Sequence, residues 1–305
     1  MTISTEPLPP PAGRLLYADG PEVSPLAWGM WRFRGDDVGA ARERVEAALD
    51  ARITLFDTAD IYGPDNGEPF GAAEALLGRV FAEAPDLRDR MVLASKGGIV
   101  IGTPYDSGRA YLERAIDASL ARLGVDHIAL WQVHRPDILT HPEELARTLE
   151  EAVRAGKIGA VGVSNFTGAQ IESLAHFLTI PLATTQPEFS PLALASAEDG
   201  QFDQAMRLGL SVLAWSPLGG GRIAQPETGR ERAVATALDA VAEAQGVSRA
   251  AATYSWIMAH PARPIPIVGS QTPARIAEAA DALKVRWTRS DWYAVFEAAR
   301  GEPLP

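Results

Sequence analysis

Phe56-Asp57-Thr58-Ala59-Asp60-Ile61-Tyr62 is the stretch on which the fold turns. It continues the apolar run Ile53-Thr54-Leu55 and is closed by Gly63-Pro64-Asp65-Asn66-Gly67, a turn in which Gly and Pro prevent a helix. It reads as a short strand ending in a carboxylate, with a tyrosine held on the loop beyond. The pattern then recurs. Met91-Val92-Leu93-Ala94-Ser95 is strand-like and ends at Lys96, and Ile128-Ala129-Leu130-Trp131-Gln132-Val133 ends at His134. An acid, a phenol, an ammonium and an imidazole thus fall at the C-terminal ends of successive strands. Together they are the parts of a proton-delivering site.

Outward from these residues, short apolar runs alternate with amphipathic stretches. Arg14–Tyr17 and Glu22–Pro25 flank Asp19-Gly20 as a β-hairpin. Leu26–Trp31 is the first strand of the series and Val38–Asp50 its helix. Helices near Phe70–Ala82, at Gly108–Leu123 and at Pro142–Ala155 follow the next three strands. The second half places strands at Ala160–Val163, Ala183–Thr185, Ser211–Trp215 and Ile265–Val268. Its helices are Gln170–Leu178, Phe202–Leu208, Arg232–Ala244 with Arg249–Ala259, and Pro273–Ala282, and Asp291–Ala299 is an extra C-terminal helix.

Such alternation demands a parallel sheet covered by helices. Eight strand–helix units in 305 residues suit a closed (β/α)8 TIM barrel of the α/β class better than an open doubly wound sheet. No Gly-x-Gly-x-x-Gly follows an early strand, which removes the dinucleotide signature of an open sheet. The expected organisation is a flexible Pro-rich arm over residues 1–13 and one barrel domain over 14–305. In such barrels the reactive residues sit at the C-terminal strand ends, where Asp57, Lys96 and His134 fall.

The chain has no Cys and a formal net charge of −11. Thiol catalysis and disulfide stapling are excluded, and the acidic balance argues against nucleic acid as a partner. No apolar run is long enough to cross a bilayer, and Met1–Arg14 lacks a basic start followed by an apolar core. A cytoplasmic protein, monomeric or weakly homo-oligomeric, is expected, with no membrane partner. Lysine occurs only at Lys96, Lys157 and Lys284, so a lysine closing an apolar strand stands out. No His-Glu-x-x-His or similar spacing suggests a metal.

Several stretches together resemble the aldo-keto reductase superfamily over nearly the whole chain. They are Phe56 to Gly63, Ser95-Lys96, His134-Arg135-Pro136-Asp137, Gly156 to Phe166, Gln186-Pro187-Glu188-Phe189, Trp215-Ser216-Pro217-Leu218-Gly219 and Val268-Gly269-Ser270. Gly29-Met30-Trp31 and Trp215 to Arg222 look like a bacterial branch of predicted oxidoreductases. The resemblance implies NADPH-dependent reduction of aldehydes or ketones, with Asp57, Tyr62, Lys96 and His134 as the catalytic tetrad.

The chemistry stands without the family. Hydride addition to a carbonyl makes an alkoxide, which needs a proton donor at the oxygen. Free tyrosine, with a pKa of about 10, is a reluctant acid. A nearby ammonium stabilises tyrosinate, Asp57 would keep Lys96 charged and aimed, and His134 can donate a hydrogen bond to the carbonyl oxygen. Each residue alone has an ordinary explanation as a turn, a cap or a core side chain. All four in one order at successive strand ends do not.

The resemblance assigns the second half to the cofactor. Ser164, Asn165 and Gln186 match residues that bind the nicotinamide carboxamide, a group that both donates and accepts, and Phe189 falls where an aromatic ring stacks on the nicotinamide. Ser216, Pro217, Leu218, Gly219 and Gly220 form a loop whose glycines let backbone approach a pyrophosphate, with Arg222 adding charge. Ser270, Gln271 and Thr272 open the last helix of the series, with Thr272 as N-cap and Pro273 behind it. Arg275 is placed to reach the 2′-phosphate of NADP, and Glu278, Gly29 and Met30 complete the set. Gly269 and Ala279 depart from the family, which commonly has lysine and asparagine there. NADPH is expected over NADH.

Trp31 and Trp131 are expected to line an apolar substrate pocket that favours aromatic or medium-sized aliphatic carbonyls. The alternative reading is a binding protein, an NADPH-binding sensor or partner subunit with little turnover.

Overall fold

The computed structural model describes residues 6–305. Eight parallel strands close into a barrel: β3 (Ala27–Gly29), β4 (Leu55–Asp57), β5 (Val92–Gly97), β6 (Ile128–Val133), β7 (Ile158–Ser164), β8 (Leu182–Gln186), β9 (Ser211–Ala214) and β10 (Ile265–Val268), with β10 pairing back onto β3. An antiparallel hairpin, β1 (Arg14–Leu15) with β2 (Glu22–Val23), precedes it. The helices are α1 (Val38–Asp50), α2 (Ala72–Glu83), α3 (Arg109–Leu123), α4 (Pro142–Arg154), α5 (Gly168–Phe177), the short α6 (Ala195–Glu198), α7 (Gln201–Leu208), α8 (Gly229–Gln245), α9 (Arg249–Met258), α10 (Pro273–Ala279) and α11 (Arg289–Arg300).

Local chemistry sets several helix starts. The Asp37 carboxylate accepts from Ala40 N, and Thr167 with Gln170 and Thr228 with Glu231 form capping boxes at α5 and α8. The expected helix Pro273–Ala282 ends early as α-helix. From Ala280 to Lys284 the chain tightens into a 3-10 turn, so the last element of the series is shorter and then narrower than its periodicity suggests.

Two faces of each strand feed two cores, as parallel strands buried on both sides require. Outward side chains such as Phe56, Leu93, Trp131 and Val161 pack under the helices. Inward side chains, two residues apart, fill the barrel. Its lower half is apolar: Leu55, Ala94, Leu130, Leu213 and Ile265 meet Leu16 and Val23 of the hairpin region, which plugs the N-terminal end. Ser211 Oγ donates to Leu16 O at 2.6 Å and ties the plug in place.

One step up each strand the interior turns polar. Asp57 follows Leu55, Lys96 follows Ala94, and Gln132 follows Leu130, all buried. Gly162 makes room for this layer. A Cβ there would stand 2.0 Å from Thr184 Oγ1 and 2.9 Å from Gln132 Cγ, so any side chain would displace the Thr184 hydroxyl and the Gln132 amide.

Residues 1–5 of the expected arm lie outside the described residues. Further along, Pro7 pairs with Thr288 and Leu8 N donates to Trp287 O at 2.7 Å, so this part of the arm is fastened beside α11. The hairpin, the barrel and the C-terminal helix stand where the sequence places them.

Candidate active site

The polar layer opens toward the C-terminal ends of the strands. Lys96 Nζ donates to Asp57 Oδ2 at 2.6 Å and to Thr58 O at 2.9 Å, and the Lys96 side chain is fully buried. Asp57 Oδ1 accepts from Gln186 Nε2 at 2.9 Å and from Gln132 Nε2 at 3.3 Å. Thr184 Oγ1 in turn donates to Gln132 Oε1 at 3.2 Å. The carboxylate is therefore held through one oxygen by two amides while its other oxygen holds the ammonium. Burial alone would lower the Lys96 pKa, but Asp57 and the Tyr62 phenol outweigh it and raise the pKa above its ordinary value.

Tyr62 sits over this ion pair on the turn after β4. Lys96 Nζ lies 5.1 Å from the Tyr62 ring centroid, and the Tyr62 and His134 rings meet edge to face at 5.8 Å. Gly63 allows the turn to close on itself, since a Cβ there would stand 1.8 Å from Pro69 O. The four residues expected to work together are brought together. One expectation is reversed in sign: the Tyr62 pKa is raised, because burial outweighs the pull of the Lys96 charge. The His134 pKa is pushed well below its ordinary value by burial, then by Lys96 and Arg135. Its ring is thus neutral near pH 7. Nδ1 is buried with no partner among the described residues.

The expected cofactor residues divide. Asn165 and Ser216, at the ends of β7 and β9, both have left-handed backbone (φ 60° and 52°), a strained state for residues other than glycine. Asn165 Nδ2 donates to Ser164 Oγ at 2.8 Å and to His134 O at 3.2 Å. Gln186 is engaged with Asp57, beneath the tetrad. Gly219, Gly220 and Gly221 are all left-handed, and a Cβ on either of the last two would meet nothing within 4 Å, which leaves an open backbone cradle. Pro217 is buried, Leu218 packs on the core, and Gly219 N donates to Ser216 O.

Arg222 points back, its Nε donating to Gly219 O at 2.9 Å and its Nη1 lying 3.6 Å from Glu231, so it closes the loop more than it charges it. Ser270 O accepts from Trp28 Nε1, and Gln271 Nε2 donates to Gly29 O at 3.0 Å, which pins the β10 loop to the β3 loop. Thr272 has the backbone of an N-cap, yet its side chain makes no capping bond. Arg275 and Glu278 are exposed. Met30 is fully buried and its N donates to Asp57 O, so it offers no exposed surface to a ligand.

Two expected contacts are not available. Phe189 is fully buried, edge-on to Phe202 at 4.8 Å and stacked on Trp256 at 5.6 Å, so it has no free face for a nicotinamide. Trp131 is fully buried in the outer core because it is one residue out of phase with Gln132 and His134. Trp31 remains exposed, with Nε1 3.3 Å from Asp65 Oδ2.

Several site residues escaped the sequence reading. Gln132 and Trp215 lie on the inward phase set by Leu130 and Leu213, a signal visible in the alternation. Trp215 is half-buried at the mouth, and its Nε1 donates to Asn165 Oδ1 at 2.9 Å. Arg32 lies with Nη1 3.7 Å from where a Cβ on Gly269 would stand, and its guanidinium covers the Trp31 ring at 4.5 Å. Asp60 is buried behind the tetrad with neither carboxyl oxygen bonded to a side chain or backbone group among the described residues. Burial, then the neighbouring Glu74, push its pKa well above the carboxylate range.

The closed barrel thus carries a buried acid–ammonium pair, a tyrosine and a histidine together at one end. The Aldo/keto reductase family model matches residues 25–300, and the chain belongs to that family. It is similar, at 63% identity over 97% of this chain and 98% of the relative, to a 6-dehydroglucose reductase of Novosphingobium aromaticivorans. A 6-dehydroglucose reductase of Agrobacterium fabrum is 35% identical over 95% and 99% of the two chains, and the oxidoreductase YdhF of Escherichia coli is 36% identical over 94% and 97%. A crystal structure of the thermostable aldo-keto reductase Tm1743 superposes with a TM-score of 0.80 at 22% identity, covering 94% of this chain and 99% of that one, which shows the shared fold. The chain is an oxidoreductase that reduces carbonyl compounds. Among the described residues no helix is long and apolar enough to cross a membrane.

Proposed function

We propose that this protein reduces a sugar aldehyde of the 6-dehydroglucose kind to the alcohol, at the expense of NADPH. The observation that carries the chemistry is the Lys96 ammonium, fixed 2.6 Å from Asp57 beneath Tyr62, with a neutral His134 opposite. The substrate is suggested by the name of the relative that is 63% identical. The dinucleotide is supported by the open glycine cradle at Gly220 and Gly221, by the Arg32 guanidinium near Gly269 and by the exposed Arg275 in the first turn of α10.

When bound, the reduced nicotinamide supplies the hydride. The protein's own residues supply the rest. His134, neutral, donates a hydrogen bond to the carbonyl oxygen and aims it. The Tyr62 phenol, kept protonated by its burial, gives its proton to the oxygen as negative charge develops there. The Lys96 charge stabilises the tyrosinate left behind, and Asp57 with its two amides holds that charge in place. Trp215, half-buried with its Nε1 fastened to Asn165, would offer the nicotinamide the aromatic face that the buried Phe189 does not.

The test is to mix the purified protein with NADPH and 6-dehydroglucose. The expected result is loss of the reduced-nicotinamide absorbance with formation of glucose. A protein that binds NADPH and reduces no aldehyde would fit the sensor alternative instead.

A further inference from the structure

Arg135 takes no part in the proton transfer described above. It follows His134 directly, is half-buried, and places Cζ 5.9 Å from the centroid of the Trp215 ring. That ring is fixed through Asn165, whose Nδ2 donates to His134 O, so the indole is tied to the backbone just before Arg135. The Arg135 charge reaches both reacting groups and draws down the pKa of His134 and of Tyr62.

Among the described residues Arg135 has no ion pair and no hydrogen bond, in contrast to Lys96. The acid nearest in its loop, Asp137, is already spent: it accepts from Ser107 N, Leu139 N and Thr140 Oγ1 at 3.0, 2.9 and 2.7 Å. A guanidinium carries five donors in a planar fork, and those of Arg135 are neither used by nor sealed inside the protein, so the fork is open to an incoming ligand. Oxygens entering with the substrate can satisfy them.

We infer that Arg135 is a substrate-recognition residue: its fork takes the hydroxyl oxygens on the carbons next to the reacting carbonyl, so that the site selects polyhydroxylated aldehydes over hydrocarbon ones. This rests on the reductase reading above and gives the site's selectivity a physical basis. It also replaces the apolar pocket expected from Trp31 and Trp131. A hydrocarbon aldehyde would enter and leave the fork unpaired, and a site built to hydrogen-bond a group discriminates strongly against the analogue that lacks it.

D-Glyceraldehyde and propanal share a three-carbon aldehyde chain and differ in two hydroxyls. The experiment compares kcat/KM for the two at saturating NADPH in the wild type, Arg135→Met and Arg135→Lys, with an NADPH fluorescence titration to confirm that each variant is folded. In Arg135→Met the ratio of glyceraldehyde to propanal should fall by about tenfold or more, and Arg135→Lys, which keeps the charge and loses the fork, should recover only part of it. An unchanged ratio, with both aldehydes slowed in parallel and the pH profile displaced, would overturn the inference and show that Arg135 acts through Tyr62 and His134. A wild type inert toward both aldehydes and toward 6-dehydroglucose would overturn the reductase reading itself and this inference with it.

Discussion

Lys96 and Asp57 form an ion pair inside the barrel, with Nζ 2.6 Å from Oδ2 and side-chain exposures of 0% and 3%. A buried pair of this kind is poor evidence of added stability, since desolvating both charges consumes most of their attraction. What it does provide is a charge of fixed position under Tyr62. The two partners also differ in what remains when one is removed.

Asp57→Ala leaves the Lys96 ammonium with Thr58 O alone, and should destabilise the protein by about 3–5 kcal/mol, the usual cost of an uncompensated buried charge. Lys96→Met leaves Asp57 with the Gln186 and Gln132 amides, so its cost should be smaller although its activity is lost as well. Urea unfolding of the two variants checks the order. Equal or reversed costs would mean that the amides do not support the carboxylate.

Asp60 makes stability depend on pH in a direction of its own. Its folded-state pKa is raised above the unfolded value by burial and by Glu74, so the folded state binds the proton more tightly. Its stabilising contribution is full below the unfolded pKa, about 3.8, and is lost as pH rises through the folded value. Asp60→Asn removes that titration. The melting temperature of the variant relative to the wild type should therefore rise with pH above about 3.8 and level off once the raised folded-state value is passed, where an unperturbed carboxylate would give no slope. A difference that does not change with pH would contradict a proton retained on Asp60.

Arg32 stands where a side chain on Gly269 would point, with Nη1 3.7 Å from that Cβ position. A cation delivered from the β3 loop thus faces the β10 loop, which has glycine there. Arg32→Ala should raise the Kd for NADPH by about tenfold, the worth of one charge-assisted contact, and raise that for NADH less. Gly269→Lys in the same background should restore the affinity, because a Cβ on Gly269 meets only Arg32 within 4 Å. Fluorescence titration of the three proteins reads this out. An NADPH affinity indifferent to Arg32 would remove it from the cofactor lip.

The barrel was legible because parallel strands buried on both faces leave continuous apolar runs, and helices between them leave a different period. Ile128–Val133, Ile265–Val268 and Val38–Asp50 have the boundaries read from the chain. β5 and β7 run beyond their apolar cores, to Gly97 and from Ile158 to Ser164, because ladder hydrogen bonds extend wherever a neighbour does. Asp57, Lys96 and His134 stood out as charged or polar residues closing apolar runs.

What could not be read depends on partners far away in the chain. Phe189 is core because Phe202 and Trp256 enclose it, and no local pattern announces that. Gln186 turns to Asp57, 129 residues away. The net direction of the Tyr62 pKa is a contest between burial and Lys96, and only the packed barrel decides it. Trp131 is different: the two-residue alternation that makes Gln132 and His134 inward already turns it outward.

The central proposal is that the Tyr62 phenol donates the proton. Tyr62→Phe keeps the ring that packs against His134 and removes only the hydroxyl. Turnover of an aldehyde by this variant should fall by about 10²–10⁴, the usual contribution of a general acid, while the Kd for NADPH stays within about twofold. Turnover that survives the substitution at a comparable rate, with the cofactor bound as before, would contradict it.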